Sequence, residues 1–445
     1  MCGLWVCAAD GLGPGLDLDP QSHIDDAAMR AKLLQLISVG VRSFMIAFDD
    51  VEAEEPEPPY SSAAEAQAAV ANRCCIAMYD AMFSQEACER SVEQPAPMFL
   101  FCPTEYCGRI AQPGTVGSAY LSSLGKELLG IIDVCWTGEE IISPTISLED
   151  IVAVSNSIGV GHGDAGSGRR IVLWDNYHAN DYDQGRRIYL GPYDGREAGL
   201  LSSPLLAGIL TNPNVQYECN YIPLATLGLF VAAQQSQQPY DPATAVGQAV
   251  ASWMKRFGDP ITTEDVALLV DLCYLPYAHG PRAVDLLRQL DELHLLADGF
   301  AVDGAPGAAA AMESLASNFY VRGDAIAGLF ERLTEIRQRE LCYALYPYLW
   351  DLKEEMDVLC RYVQWLCRTT TTTGGGVAAA GDYQDDELAE TEYPKFEMIY
   401  RGGMLSELQR RVPLARNVHA AGGLSDLPAG TVSHFRRGRP APARL

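Results

Sequence analysis

The sequence predicts an α/β protein whose first half forms a parallel sheet and whose second half is entirely helical. Six short apolar runs recur along the first 235 residues, with helical patterns such as 25–39 and 63–83 between them. Apolar strands that alternate with helices pair in parallel. The predicted strands are Leu4–Ala9, Phe44–Phe48, Met98–Cys102, Ile131–Trp136, Ile171–Trp174 and Tyr217–Ile222.

Polar or special residues follow most of these runs at once, as at Asp49-Asp50, 103–106, Thr137-Gly138 and Asp175-Asn176. A parallel barrel carries its active site at the carboxyl ends of its strands, which predicts a site built from these residues. Six predicted strands fall short of the eight that a complete barrel needs. Two segments interrupt the pattern: the acidic, Pro-rich 52–59 and the Gly-rich 159–168, which lacks the Lys-Ser/Thr ending of a phosphate loop.

From Asp241 onward only helical patterns remain. Thr262 and Asp265 resemble a capping box ahead of 266–274, and leucines at 286, 287, 290 and 293 and at 341, 345, 349 and 352 form core stripes. The low-complexity 369–381 is expected to be a flexible link, and 403–411 a short helix. The predicted domains are 1–235, 236–412 and a basic, disordered tail at 413–445.

Charge and cysteine content exclude several classes of protein. The chain of 445 residues has 58 acidic and 32 basic side chains, a net charge of -26, which argues against nucleic acid and anionic membranes as partners. The segment 401–445 has eight Arg against two acidic residues, net +6, so the rest carries -32. The 13 cysteines contain no CxxC pair and no zinc spacing, so we expect buried free thiols and no metal. No signal peptide or membrane-spanning run is recognisable, and we expect a soluble intracellular protein.

Two motifs carry the chemistry. Asp49 and Asp50 end a buried apolar strand, where adjacent like charges raise the pKa of one partner and make it a possible general acid. The alternatives are a helix N-cap and a metal-binding pair. Residues 174–182 (WDNYHANDY) combine aromatic faces with amides and a carboxylate, which suits a sugar, although such a loop can also bond to its own backbone. A serine or cysteine hydrolase is less attractive because GxSxG is absent, and His178 is either titrating or structural.

Taken together, these motifs resemble the animal O-GlcNAcase enzymes of glycoside hydrolase family 84. The resemblance spans residues 12–413 and extends to the family's helical stalk, including the stalk helix exchanged between subunits. It rests on FDD 48–50, FCPTEYCG 101–108, WTG 136–138, WDNYHANDYDQ 174–184, LGPYDGR 190–196, LTNPN 210–214, LCYLPYAHGP 272–281, YPYLWDLK 346–353 and RGGMLSELQRRVP 401–413.

The resemblance implies a (β/α)8 TIM barrel and a helical stalk that forms homodimers. It also implies cytoplasmic and nuclear location, and removal of N-acetylglucosamine from Ser/Thr of proteins without metal or cofactor. The substrate's own acetamido oxygen is the nucleophile, with Asp49 polarising the acetamido group and Asp50 as general acid and base. Tyr106 and Asn176 would lie near the acetamido group, and Cys102 and Trp174 would line the acetyl pocket. Asp181 would bind the 4- and 6-hydroxyls beside Asn212, while Ile141 and Tyr182 would border the site.

The sequence also departs from the family pattern. The family's first two strands, with a Gly-rich turn and a sugar-contacting Lys, have no counterpart, so we expect an incomplete barrel of strands 3–8. A long insert and the acetyltransferase-like C-terminal domain of animal members are also unmatched. Two alternatives therefore stay open: an impaired fragment that acts only as a dimerising scaffold, and a hyaluronidase-like hexosaminidase.

Overall fold

The computed structural model describes residues 9–14, 18–49, 51, 58–86, 96–159, 168–181, 187–303, 307–372 and 403–411. Their contacts divide the chain into two compact units. Unit 1 comprises the described residues within Met1–Tyr177, Asp194–Asn212 and Gly228–Tyr240. Unit 2 comprises those within His178–Tyr193, Pro213–Leu227 and Asp241–Leu445.

Unit 1 is built on a six-stranded parallel sheet whose strands follow one another in chain order. In the described part, the first and last strands do not pair with each other, so the barrel is not closed. The strands are β1 Ala9–Leu12, β2 Ser43–Ala47, β3 Phe99–Cys102, β4 Asp133–Trp136, β5 Ile171–Asp175 and β6 Leu206–Thr211. The helices between the first five are α1 His23–Ser38, α2 Ala63–Glu86, α3 Ala119–Glu127 and α4 Leu148–Gly159.

The two faces of this sheet differ, because successive side chains of a strand point to opposite faces. Phe44 and Ile46 of β2 and Phe101 of β3 join the large core that packs against all four helices. Met45 of β2 and Cys102 of β3 belong instead to a small apolar cluster on the other face. Helices on one face and strands in sequential order are the arrangement of a barrel wall.

One predicted strand is wrong. Tyr217–Asn220 is a 3₁₀ turn that leads into α5 at Tyr221–Gln235, and the sixth strand is Leu206–Thr211 instead. The side chain of Asn220 explains the turn, since its Oδ1 accepts the backbone N–H of Asn214 at 2.8 Å and its Nδ2 donates to the Asn214 carbonyl at 2.8 Å. The first strand is Ala9–Leu12, later than predicted, and the rest of the predicted run lies outside the described residues. The other four strands agree with prediction to within two residues.

Unit 2 is helical, as predicted from Asp241 onward. Its helices are α6 Pro242–Phe257, α7 Thr263–Leu272, α8 Pro281–Asp303, α9 Ala308–Glu335, α10 Arg339–Thr372 and α11 Gly403–Arg411. The capping box is confirmed: Thr262 Oγ1 accepts the Asp265 N–H at 3.1 Å, and the Asp265 carboxylate accepts the Thr262 N–H at 2.9 Å. Both leucine stripes are buried in one core. Helix α10 continues to Thr372, into the predicted link, whose remainder and the tail lie outside the described residues.

The described cysteines are all free, and eight of these ten are buried, which agrees with the expectation of core thiols. Within the same residues, none of the helices has the length and apolar character required to cross a bilayer.

The half-buried His294 on α8 gives unit 2 a testable dependence on pH. Burial lowers the pKa of His294 to about 4; the Asp291 carboxylate opposes this shift and the Arg411 guanidinium adds to it. Its Nε2 lies 3.1 Å from the Tyr362 hydroxyl of α10. Because the unfolded chain takes up the proton near pH 6.5, the folded state loses stability as the pH falls from 6.5 towards 4. The full shift in the pKa of His294 corresponds to about 3 kcal/mol of unfolding free energy.

We therefore expect the His294→Gln variant to lose less stability than the wild type between pH 7 and pH 5, by about 2 kcal/mol. Urea unfolding at the two pH values measures this difference. The exposed His23, substituted in the same way, is the control. Equal pH dependence in the wild type and His294→Gln would show that His294 does not control this part of the stability.

Candidate functional site

The backbone that leads into Asp49 is fixed by a buried hydrogen-bond network at the carboxyl edge of the sheet. The Phe48 N–H donates to the Cys102 carbonyl at 2.9 Å, and Thr104 Oγ1 donates to the Phe48 carbonyl at 2.8 Å. Gln67 of α2 donates to Thr104 Oγ1 at 2.9 Å and accepts from the Tyr120 hydroxyl of α3. Because these bonds hold the peptide directly before Asp49, the backbone position of Asp49 is fixed by contacts with β3 and with helices α2 and α3.

The loops that follow β3 and β4 are joined by backbone hydrogen bonds. The Thr137 N–H donates to the Tyr106 carbonyl at 2.9 Å, and the Gly108 N–H donates to the Gly138 carbonyl at 3.0 Å. Gly138 has a φ of +100°, and a Cβ there would lie 2.3 Å from Ser143 Oγ, so only glycine fits. This pairing brings Tyr106 and Ile141, which are 35 residues apart in sequence, to one edge of the site.

Four of the predicted site side chains lie in the small apolar cluster on the face of the sheet opposite the four helices. Cys102 and Tyr106 are buried members of this cluster, and the half-buried Ile141 and Trp174 pack against it. Such a surface offers an aromatic face and a dry wall to the methyl group or C–H face of a ligand.

A polar group completes the rim of this cluster. The carboxamide oxygen of Asn176 accepts the indole N–H of Trp174 at 2.9 Å and an N–H of Asn212 at 3.1 Å. The nitrogen of the same carboxamide donates to the Ile141 carbonyl at 2.8 Å. Asn176 is thus held by groups beyond β4, β5 and β6, and its NH₂ has a second hydrogen that can donate to a ligand oxygen.

Two thiols of this cluster, those of Cys135 and Cys107, are protonated at neutral pH. Burial raises the pKa of Cys135, and the charges of Asp133 and Asp49 raise it further. Burial likewise raises the pKa of Cys107, although nearby hydrogen bonds partly oppose the shift. Since a thiolate is the nucleophilic form, these two cysteines contribute an apolar wall instead of a nucleophile.

Unit 1 therefore brings together six of the predicted residues and presents Asp49 at the same edge of its sheet. These six are Cys102, Tyr106, Ile141, Trp174, Asn176 and Asn212. Asp181 belongs to unit 2 and is exposed, while Asp50 and Tyr182 lie outside the described residues. His178 is buried in unit 2, where Nε2 lies 3.0 Å from the Gly191 carbonyl oxygen.

The sequence did not identify all the side chains that hold the predicted site in place. Thr104 lies in the strand-end segment 103–106 that was predicted to contribute to the site, whereas Gln67 and Tyr120 were missed. Gln67 and Tyr120 have no local signal, because each lies in an ordinary helical pattern and acts only through its tertiary partner. Across the described residues, no group of three or more His, Cys, Asp or Glu side chains is arranged to hold a metal ion.

Comparison with known proteins identifies the family of the chain. The profile of a family described as beta-N-acetylglucosaminidase matches residues 8–269, more than half of the chain. The chain belongs to the β-N-acetylglucosaminidase family. It is 24% identical to the Protein O-GlcNAcase of Rattus norvegicus and to that of Mus musculus, in each case over 91% of this chain and 61% of the relative. The chain thus spans about three fifths of the length of these curated relatives.

A solved structure shows the same fold. A point mutant of the Thermobaculum terrenum O-GlcNAc hydrolase matches with a TM-score of 0.62 and 22% identity, over 91% of this chain and 78% of that one. The α/β sheet and the helical second half of this chain are therefore those of a known hydrolase architecture.

Proposed function

We propose that this chain is a retaining β-N-acetylglucosaminidase that removes O-linked N-acetylglucosamine from Ser and Thr of proteins. The observation that carries the proposal is the joint placement of Asp49, an apolar cluster and the Asn176 carboxamide at the carboxyl edge of one parallel sheet. An acetamido sugar presents a methyl group, a carbonyl oxygen and an N–H. The apolar cluster suits the methyl group, the Asn176 NH₂ can donate to the carbonyl oxygen, and the Asp49 carboxylate can accept the N–H. Family membership and the names of the curated relatives support the same substrate class.

In the proposed mechanism the substrate's acetamido oxygen attacks the anomeric carbon while the bond to the protein's hydroxyl oxygen breaks. Asp49 accepts a hydrogen bond from the acetamido N–H and stabilises the positive charge that develops on the forming oxazoline ring. Asp50 gives its proton to the leaving oxygen and then removes a proton from the water that opens the oxazoline. Intramolecular attack by a correctly placed acetamido group removes much of the entropic cost of the reaction.

The remaining residues have proposed binding roles. Cys102 and Trp174 line the acetyl pocket, Tyr106 bonds near the anomeric and acetamido groups, and Asn176 lies near the acetamido group. Asp181 binds the 4- and 6-hydroxyls with Asn212 beside it, and Ile141 and Tyr182 border the site.

Hydrolysis of a fluorogenic β-N-acetylglucosaminide by the full chain tests the proposal. The β-glucoside of the same fluorophore, which lacks the acetamido nucleophile, is the control substrate and should not be cleaved. A glycopeptide with a single modified Ser and a hyaluronan oligosaccharide complete the set. Cleavage of the glucoside would contradict the mechanism, and preference for hyaluronan would favour the hyaluronidase-like alternative.

A second candidate function is a dimerising scaffold with little or no hydrolase activity. The open sheet in the described part of unit 1 favours it. The resemblance of α11 to the stalk helix that the family exchanges between subunits supports a dimer. Within this chain Met404 and Leu408 of α11 are buried in the core of unit 2, and Arg411 forms an ion pair with Asp291 of α8 at 2.8 Å. Inactivity of the full chain in the hydrolysis assay, together with stable dimers, would establish this function instead.

We further propose a homodimer that forms through unit 2. Leu408 is fully buried, so Leu408→Asp should displace α11 and shift the chain towards monomer in sedimentation velocity over a range of concentrations. Circular dichroism of the variant checks that the other helices remain. A wild type that stays monomeric at every concentration would refute the proposal.

An intracellular location, in cytoplasm and nucleus, is also part of the proposal. The free thiols support it, because reducing compartments keep cysteines unpaired. Imaging of a tagged chain tests it, and accumulation in the secretory pathway would contradict it.

A further inference from the structure

A buried ion pair lies directly behind the candidate site. Arg196 Nε donates to Asp175 Oδ2 at 2.8 Å, and Arg196 Nη2 donates to Asp175 Oδ1, so the contact is bidentate. The exposed fractions of the two side chains are 0% and 1%. The guanidinium carbon of Arg196 also lies 4.1 Å from the centre of the Tyr177 ring. A charged pair this deeply buried has lost its hydration and is retained only where its geometry is well satisfied.

Arg196 connects separate segments of unit 1. Its Nη1 donates to the carbonyl of Asp194 at 3.0 Å and to that of Pro144, beyond β4, at 3.3 Å. A backbone hydrogen bond joins the same two segments, since the Ile146 N–H donates to the Gly195 carbonyl at 2.9 Å. Gly195 has a φ of +74°, and a Cβ there would lie 2.2 Å from the Pro144 carbonyl oxygen. Glycine at 195 therefore allows the close approach on which the Arg196 contacts depend.

Asp175 connects this pair to the site. It is the last residue of β5 and lies between Trp174 and Asn176 in sequence. Its Oδ1 accepts the Tyr177 N–H at 3.1 Å, and its backbone carbonyl accepts the Asn212 N–H at 2.9 Å. Trp174 and Asn176 are thus adjacent to Asp175 in sequence, and Asn212 is bonded to its backbone carbonyl.

We propose that Asp175 and Arg196 are positioning residues that hold Trp174, Asn176 and Asn212 in the arrangement that binds the acetamido group. This inference rests on the proposed function, because it assigns the rim of the cluster to that group. Neither side chain reaches the ligand itself. Their effect acts through the backbone at the end of β5, where a small shift moves the indole and both carboxamides together.

A second ion pair in the same sheet provides a control remote from the candidate site. Asp133 begins β4 at the opposite, amino-terminal edge of the sheet, and Arg170 Nε donates to its Oδ1 at 2.9 Å. The Asp133 side chain is 7% exposed, so its substitution also removes a buried carboxylate that pairs with an arginine. The Arg170 side chain is 59% exposed, so water can solvate this guanidinium, unlike that of Arg196.

The experiment compares Asp175→Asn, Arg196→Lys and Asp133→Asn with the wild type in the full chain. It measures kcat and KM on the fluorogenic substrate, and affinity for a bicyclic thiazoline in which sulfur replaces the oxazoline oxygen. We expect Asp175→Asn to lower kcat/KM about 100-fold, mainly through kcat, since small misplacements at a reacting centre cost this much. Thiazoline affinity should fall by a similar factor, because the compound resembles the intermediate. Arg196→Lys keeps the charge and loses the bidentate contact, and should show a smaller loss of the same kind.

The outcomes distinguish a failure of this inference from a failure of the proposed function. A wild type that neither hydrolyses the substrate nor binds the thiazoline overturns the proposed function and the inference with it. An active wild type with unchanged kcat/KM in folded Asp175→Asn overturns the inference alone. So does an equal loss in Asp133→Asn, or a loss of kcat/KM without a loss of thiazoline affinity. If Asp175→Asn fails to fold, Arg196→Lys decides the question by the same criteria.

Discussion

The Asp50→Asn variant is expected to lose activity on a glycopeptide by about 10²–10⁴-fold, the usual contribution of a general acid. The loss should be far smaller on a substrate whose leaving group is an acidic phenol, because such a group departs without protonation. Asp49→Asn should behave differently and reduce both activities to a similar degree, since attack by the acetamido oxygen is needed whatever the leaving group. Steady-state kinetics of the two variants on the two substrates measures this contrast.

The contrast matters because the two carboxylates are adjacent in sequence and loss of activity alone would not separate their roles. Glu140→Gln is a suitable control, since Glu140 lies in the loop after β4 and is about half exposed, paired with Arg109. It should keep nearly full activity. Equal losses on both substrates for Asp50→Asn would remove the assignment of Asp50 as the general acid.

The Arg169→Met variant is expected to destabilise unit 1 by about 3–5 kcal/mol, although Arg169 is remote from the chemistry. Its guanidinium is buried and donates to the carbonyls of Leu128 at 2.9 Å and Leu129 at 2.7 Å, and to those of Gly125 and Ile132 at 3.4 Å. These carbonyls lie at the carboxyl end of α3 and in the segment that leads into β4. The last carbonyls of a helix have no N–H donors within the helix, so the Arg169 guanidinium supplies them. Burial lowers the pKa of Arg169, and the Asp133 charge opposes this shift.

Hydrogen exchange followed by mass spectrometry suits this prediction, because it reports on peptides of unit 1 separately from unit 2. Peptides covering α3 and β4 should lose protection in Arg169→Met. Arg109→Met removes an arginine that is 40% exposed and should change stability by no more than about 0.5 kcal/mol. Unchanged protection in Arg169→Met would mean that water satisfies these carbonyls as well as the guanidinium does.

Local patterns predicted the elements whose causes are local. The apolar run before Asp49, the Thr262 capping box and helix α11 at Gly403–Arg411 were all predicted close to their observed bounds. The sixth strand was missed because Leu206–Thr211 contains Ala-Gly, while 217–222 has the more strand-like composition. Pairing with β5 decides for the first segment, and the Asn214–Asn220 bonds decide against the second. The first decision depends on a strand more than 30 residues away, whereas the second depends on a side-chain pair six residues apart.

The candidate site divides in the same way. Motif resemblance assigned the side chains that face the cluster, and six of them lie together in unit 1. Gln67 and Tyr120 lie outside every motif, and Arg196 ends the LGPYDGR motif without any local sign of its role. Gln67 bonds to Thr104, 37 residues away, and to Tyr120, 53 residues away, while Arg196 pairs with Asp175, 21 residues away.

Local sequence patterns specified most of the strands and helices, the Thr262 cap and the polar side chains at the strand ends, but not the sixth strand. Folding alone brings the Asn176 carboxamide to Trp174, Asn212 and the Ile141 carbonyl, and buries Arg169 and Arg196. The difference arises because propensity, capping and turn chemistry act over a few residues. A buried polar group must instead find its partners wherever folding brings them, and desolvation makes those partners obligatory.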